Sequence, residues 1–210
     1  MLGRIFSFLK KDDKSAKLAN LKEIFSNIPK LETKRLVLRR IEDGDTLDMF
    51  EYSADLDVTQ YLVWKPHATV AETRDHIAQL QKKYDNGQFY DWGMVYKEDG
   101  HLVGTCGFTS IDLGKNLGEV GYVLSKKYWG KGLMPEALEC IMDFAFRHLG
   151  FDVIEGRFMD GNAKSKKVME KVGMAYAKTA HRSLYVRDGF KTVYTYSITR
   201  EDFEKRKKKY

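Results

Sequence analysis

The sequence predicts a mixed α/β fold with a mostly antiparallel sheet, and three observations predict it. Phe89–Tyr96 and Leu102–Ile111 read as paired antiparallel strands about a Glu98-Asp99-Gly100 turn. Met174–Val186 and Gly189–Ile198 repeat that pattern as a long final hairpin turned at Arg187-Asp188-Gly189. Between the pairs, the strand-like run Gly118–Ser125 passes through a glycine-rich turn into a helical pattern. That helix carries apolar residues at 133, 137, 138, 141, 142, 145 and 149, a stripe that faces a core.

The other elements follow in order. Met1–Lys11 has apolar residues at 2, 5, 6, 8 and 9, and reads either as a partly ordered tail or as an amphipathic surface helix docking on a partner or an anionic membrane. Its apolar part is short and no small-residue cleavage site follows, which argues against a secretory signal. Lys17–Ile28 has helical spacing through Leu18, Leu21, Ile24, Phe25 and Ile28, and is expected to pack on the domain. Arg35–Arg40 is the first strand. Asp43 or Asp45 caps a helix to about Tyr52. Val58–His67 is a loop or short helix rich in aromatics. Thr69 and Glu72 form a capping box for a helix to about Tyr84. Gly150 stops the long helix, Phe151–Met159 is a strand, and Ala163–Lys171 is a short helix ended by Gly173.

A length of 210 residues suits one domain, expected at 31–200, with a basic, partly helical or disordered extension at 1–30 and a basic tail at 201–210. The apolar share of 43% can fill a core, yet no apolar run approaches the roughly 20 residues of a transmembrane helix. The net charge of +6 is uneven: residues 1–31 carry +4, 201–210 carry +2, and the rest is neutral. A nucleic-acid partner on the folded domain is therefore not expected. Cys106 and Cys140 lie in apolar segments and read as buried hydrophobes of a reducing, cytoplasmic protein. A nucleophilic thiol would need low-pKa surroundings that neither has. The five histidines show no ligand spacing, so no metal is expected.

The informative stretch is Gly118–Glu136, GEVGYVLSKKYWGKGLMPE. A glycine turn between strand and helix exposes backbone N–H groups at the positive end of a helix dipole, which suits a phosphate or pyrophosphate. Lys126, Lys127 and Lys131 would add charge. The spacing excludes a P-loop, since Gly130-Lys131 is followed by glycine. It also excludes a dinucleotide fingerprint, whose third glycine would fall on Pro135.

Lys127-Tyr-Trp-Gly130-Lys131-Gly132 resembles the [Q/R]-x-x-G-x-[G/A] acetyl-CoA motif of the GNAT acetyltransferases, with Lys127 replacing the usual Gln or Arg. Asn162 to Met174 is similar to the family's N-x-x-S stretch and the E-K-h-G that follows it. Glu32-Thr33-Lys34-Arg35-Leu36-Val37-Leu38-Arg39 resembles the opening of the RimJ/RimL branch, which acts on ribosomal-protein N-termini. The resemblance covers about Leu31 to Thr199. It implies a sheet splayed at the acetyl-CoA site, between Glu119–Ser125 and Asp152–Met159. It implies cofactor contacts from Tyr122, Val123, Leu124, Lys127, Trp129, Gly130, Lys131, Gly132, Leu133, Met134, Asn162 and Ser165. A backbone N–H near Val123 would stabilise the oxyanion.

The same resemblance makes Glu119 the candidate general base, a carboxylate in an apolar cleft whose proton affinity burial would raise. Glu119 reads equally as an ordinary strand-end charge. The usual tyrosine acid, seven residues after the asparagine, is replaced here by Met169. The branch's serine is matched by Ser165, which can donate to the leaving thiolate or simply bond backbone in a first helical turn. Tyr61, Trp64 and His67 are candidate acceptor-site residues, or packing under a loop. The expected reaction is direct acetyl transfer to an amine, by resemblance a protein N-terminal amine, carried out by a monomer or homodimer. Two alternatives stay open. One is a small-amine acetyltransferase, for which Asp55, Asp57, Glu72 and Asp75 could supply an acidic cluster. The other is a non-catalytic acyl-CoA-binding module.

Overall fold

The structure is a computed structural model that describes the backbone of residues 2–187 and 189–208, with side chains from residue 14 onward. Fifteen elements follow one another: α1 (Leu2–Ser26), β1 (Leu31–Glu32), β2 (Leu36–Arg39), α2 (Thr46–Ser53), α3 (Leu56–Thr59), α4 (Val70–Asp85), β3 (Tyr90–Tyr96), β4 (Leu102–Asp112), β5 (Leu117–Leu124), α5 (Leu133–Phe144), β6 (Val153–Met159), α6 (Ala163–Lys171), β7 (Ala175–Val186), β8 (Gly189–Thr199) and α7 (Arg200–Lys207). Single turns at Asp43–Asp45 and Lys126–Tyr128 precede α2 and α5, and a π turn at Ala145–Leu149 ends α5.

The eight strands form one sheet in the order β1-β2-β3-β4-β5-β6-β8-β7. Among the described residues β5 and β6 are the only parallel pair, so the sheet is mostly antiparallel. Alternation along the strands gives each face its own core. Trp92 and Met94 of β3 face the larger cluster, under α1, α5 and α7; Val95 joins the smaller one, under α2 and α4. The helix stops and starts have local causes. Thr69 accepts a hydrogen bond from the Glu72 N–H and opens α4. Gly150 and Gly173 take positive φ, which terminates the preceding helices at low steric cost.

Two expectations change at the chain ends. The second half of α1 does more than pack on the domain: Leu21 and Phe25 lie inside the larger core. Phe25 meets Tyr90 and Trp92 edge-on at 4.7 and 5.8 Å. The reading of Met1–Lys11 as an amphipathic face falls on side chains outside the described residues. Residues 201–210, expected as a basic tail, instead fall largely within α7. It buries Phe203 against Phe146 at 5.2 Å and pairs Arg206 with Glu139 at 2.7 Å. A lone phenylalanine among charges leaves no periodic signal, so pattern alone could not reveal this docking. Asp188, in the expected hairpin turn, lies outside the described residues.

Candidate active site

The register of β5 creates the site. β5 pairs with β4 up to Leu124↔Gly104, but with β6 only from Leu117↔Val153 to Val120↔Gly156. Beyond that point Gly121–Leu124 have no β6 partner, and the two strands part. Peptide groups left there need hydrogen bonds from something other than the sheet.

The glycine turn follows. Gly130 and Gly132 adopt φ of +78° and +76°, a left-handed geometry that glycine takes at little cost. Gly132 is the residue before α5, so the outward N–H groups of the first turn of α5 border the turn. Arg35 clamps this corner from the β1–β2 connection. Its Nη1 donates to the Lys131 carbonyl at 2.8 Å, and its Nε and Nη2 each lie 2.7 Å from Glu136 Oε2. Thr33 Oγ1 and the Arg35 N–H donate to Glu136 Oε1 at 2.6 and 2.8 Å. Burial opposes the Glu136 charge, but these hydrogen bonds outweigh it and hold the carboxyl below its ordinary value.

A cleft of about 450 Å³ runs over the splay and the turn. Of the residues expected to hold a cofactor, Tyr122, Val123, Leu124, Trp129, Gly130, Gly132, Leu133, Met134, Asn162 and Ser165 line it. Lys127 and Lys131 do not. The Lys127 ammonium pairs with Glu51 at 2.6 Å, and that of Lys131 lies 4.9 Å over the Tyr128 ring. Lys126 likewise turns away to Asp57. The cleft's cations come from α6: Lys164, Lys167 and Lys171 line it, at three- and four-residue steps that set them on one helix face. That spacing is already present in the sequence, in the run Lys164 to Lys171. Lys164 Nζ also sits 3.4 Å over the Trp129 ring, whose Nε1–H donates to the Leu124 carbonyl at 2.8 Å.

Asn162 caps α6, its Oδ1 accepting from the Ser165 N–H at 3.1 Å. The Ser165 hydroxyl lies 2.9 Å from the Tyr122 hydroxyl, which is also 3.1 Å from the Ser165 carbonyl. Burial pushes the Tyr122 phenol far above its ordinary value, so it stays protonated at neutral pH.

A larger cavity of about 860 Å³ opens beside the cleft, and the two meet at Tyr61, Leu62, Tyr122, Val123, Asn162 and Ser165. Tyr61, Trp64 and His67 all line this cavity. Tyr61 Oη donates to the Gly161 carbonyl at 3.1 Å, tying the loop after α3 to the start of α6. Trp64, His67 and His76 form a row of rings 5.6 and 5.3 Å apart. Burial, helped by His67, holds the His76 imidazolium below its ordinary value.

Glu119 lines the same cavity, but not in the apolar surroundings expected. Its Oε1 accepts from Arg157 Nη2 at 2.7 Å and from Thr109 Oγ1 at 2.9 Å. The cause is register: Glu119 stands opposite Glu155 on β6, and Arg157 follows one step along the same face. Of the acidic residues that could serve a small amine, Asp55, Asp57, Glu72 and Asp75, none lines the larger cavity and only Asp57 lines the cleft. Asp55 caps α3, Asp57 takes Lys126, and Glu72 accepts from the Ala68 N–H. The carboxylate that sequence reading missed is Asp91, on β3. It lines the cavity, its Oδ1 is sealed with no hydrogen-bond partner, and burial pushes its carboxyl up to about 7 despite the Thr105 hydroxyl. Burial also pushes both thiols up, Cys106 strongly. Among the described residues no cluster of His, Cys, Asp and Glu is placed to hold a metal, and no helix is long and apolar enough to cross a membrane.

Comparison with known proteins agrees with this geometry. The profile of the acetyltransferase (GNAT) domain matches residues 35–175. An uncharacterised N-acetyltransferase of Bacillus licheniformis, p20, is 33% identical over 142 residues, covering 68% of this chain and 80% of its own. The Escherichia coli [ribosomal protein uS5]-alanine N-acetyltransferase is 25% identical over 166 residues, covering 73% of this chain and 84% of its own. The solved structure of RimL, a ribosomal L7/L12 alpha-N-protein acetyltransferase in complex with coenzyme A, superimposes with a TM-score of 0.69. It is 19% identical, over 81% of this chain and 98% of its own. The splayed β5 and β6, the glycine turn before α5 and the family match together place the chain: it belongs to the GNAT acetyltransferases, among homologues that include the RimJ/RimL type, and is an N-acetyltransferase.

Proposed function

We propose that the chain transfers an acetyl group from acetyl-CoA directly to a primary amine in a ternary complex. We further propose that the acceptor is a protein N-terminal amine, as on a ribosomal protein. One observation carries this reading: the cleft over the β5–β6 splay and the larger cavity meet at Tyr122, Asn162 and Ser165, where donor and acceptor could touch. The names of the Escherichia coli relative and of RimL support the choice of acceptor.

Acetyl-CoA, when bound, supplies an acyl group activated as a thioester. The residues present fit it. The edge of Gly121–Val123 that faces away from β4 has no β6 partner and suits an amide-bearing arm. The glycine turn, the first turn of α5 and the α6 lysines suit its phosphates. A Val123-region N–H would hold the developing negative charge on the acyl oxygen. Glu119 would accept the amine proton, directly or through water, with Arg157 fixing the carboxylate's position. Ser165 Oγ–H would supply the proton the leaving sulfur needs, with the Tyr122 phenol behind it. A sealed Cys106 with a raised pKa supports direct transfer over an acyl-cysteine route. On this reading the protein works in the cytoplasm, as a monomer or homodimer.

A small-amine acceptor is the second reading, and Asp91 is the observation that favours it. The test is release of CoA thiol from acetyl-CoA with peptides bearing Ala, Ser or Met N-termini, compared with di- and polyamines. Turnover with the peptides alone supports the first reading; turnover with the small amines alone overturns it.

A further inference from the structure

Four carboxylates line the larger cavity: Asp91, Asp112, Glu119 and Glu155. Three carry their own cation, Asp112 with Lys115, Glu119 with Arg157 and Glu155 with Lys178. Asp91 has no ion-pair partner among the described residues, and its Oδ1 has no donor at all. Asp91 itself is half-buried at the cavity wall, but its Oδ1 is sealed from solvent, and a sealed carboxylate oxygen with neither donor nor counter-charge is costly enough to need an explanation, of which a cationic ligand is one.

The register says where that charge sits. Asp91 of β3 stands directly opposite Gly107 of β4, which stands opposite Gly121 of β5. A Cβ on Gly107 would lie 2.5 Å from Asp91 Oδ1, so the carboxyl leans over β4 toward the β5 splay. Strand spacing then puts it roughly 5–10 Å from the splayed edge where an amine would react. That is too far to hold the reacting nitrogen and near enough to hold a group a few bonds away.

We propose that Asp91 binds a second cationic group on the acceptor, so that the acceptor is a dication with its charges about 5–10 Å apart. The proposal rests on the acetyl-transfer reading above. Tyr52, buried beside Asp91, and the Trp64–His67 rings give the intervening carbon chain an apolar and aromatic wall. The dication can be a short diamine or a peptide whose N-terminal residue is followed by lysine; both present the same chemistry.

The test uses the full chain and matched acceptors: diaminobutane against butylamine, and an Ala-Lys peptide against its Ala-norleucine counterpart. CoA release is followed for the wild type and Asp91→Asn, and diaminobutane binding is measured by calorimetry. The charged member should be preferred by about tenfold or more in at least one pair, and the successful pair identifies the source. In D91N the members of that pair become equal, the loss falling on KM for the dication, and calorimetric binding weakens to match. A D91E variant, which keeps the charge, retains part of the preference and guards against a merely misfolded D91N. Equal use of both members by the wild type, or a preference that survives D91N, overturns the proposal. No acetylation of any amine by protein that binds acetyl-CoA would instead sink the acetyl-transfer reading, and this inference with it.

Discussion

The Tyr122 phenol and the Ser165 hydroxyl lie 2.9 Å apart at the junction of the two cavities, forty-three residues apart in the chain. β5 supplies one and the first turn of α6 the other, so the splay that opens the cleft also forms the pair. If this pair holds the proton for the leaving sulfur, Tyr122→Phe should lower kcat by about tenfold to a hundredfold, with acetyl-CoA affinity kept. Ser165→Ala should do the same, and the double variant should cost little more than either alone. Single-turnover kinetics checks this; an unchanged rate in Y122F reduces the phenol to packing.

Arg35 and Glu136 make a second prediction. Glu136→Gln removes the charge that holds Arg35 across the glycine turn, and should weaken acetyl-CoA binding by about tenfold in calorimetry. The pH dependence has a definite sign. The folded carboxyl lies below the ordinary value of 4.5, so its contribution is complete above that value and is lost as pH falls through the lower, folded one. Wild type and E136Q should therefore differ most near neutrality and converge in acid.

Asp91 predicts the opposite sign. Its carboxyl rises from 3.8 to about 7 on folding, so the folded state keeps a proton that the unfolded chain has lost between these values. Stability from this group therefore falls as pH rises across that window, and its full cost is felt above about 7. The groups facing it, Tyr52, Tyr84, Thr105 and Cys106, supply no positive charge to offset it. D91N should be more stable than wild type by about 1–3 kcal/mol near pH 8, and nearly equal near pH 4. Urea unfolding at the two pH values measures it. Greater stability of wild type near pH 8 would mean that Asp91 has a counter-charge.

Phe203 tests the end of the fold. It is 2% exposed, so Phe203→Ala should cost about 3–5 kcal/mol in urea unfolding. A loss below about 1 kcal/mol would mean that α7 does not dock.

How far the sequence could be read depends on the kind of signal each feature leaves. The sheet and its helices were legible because alternation, capping residues and stopping glycines are local: Thr69, Gly150 and Gly173 act where they stand. The turn at Gly130 and Gly132 was legible because its positive-φ geometry is local backbone, which a motif records. What escaped depends on partners distant in sequence. Lys127 looked like a phosphate ligand until Glu51, seventy-six residues away, took its charge. Glu119 reads from sequence as a carboxylate in an apolar cleft, whereas Arg157 reaches it across the strand pair. Asp91 carries no motif; it becomes notable only when its neighbours are counted and none is a cation.

The most direct test of the central claim is the thermal midpoint of the full chain with and without acetyl-CoA. At about a hundred times its dissociation constant the ligand should add roughly 2.7 kcal/mol and raise the midpoint by several degrees. Gly132→Val, which strains the left-handed turn before α5, should abolish most of that rise. A wild-type midpoint unmoved by millimolar acetyl-CoA would contradict the assignment of the cleft.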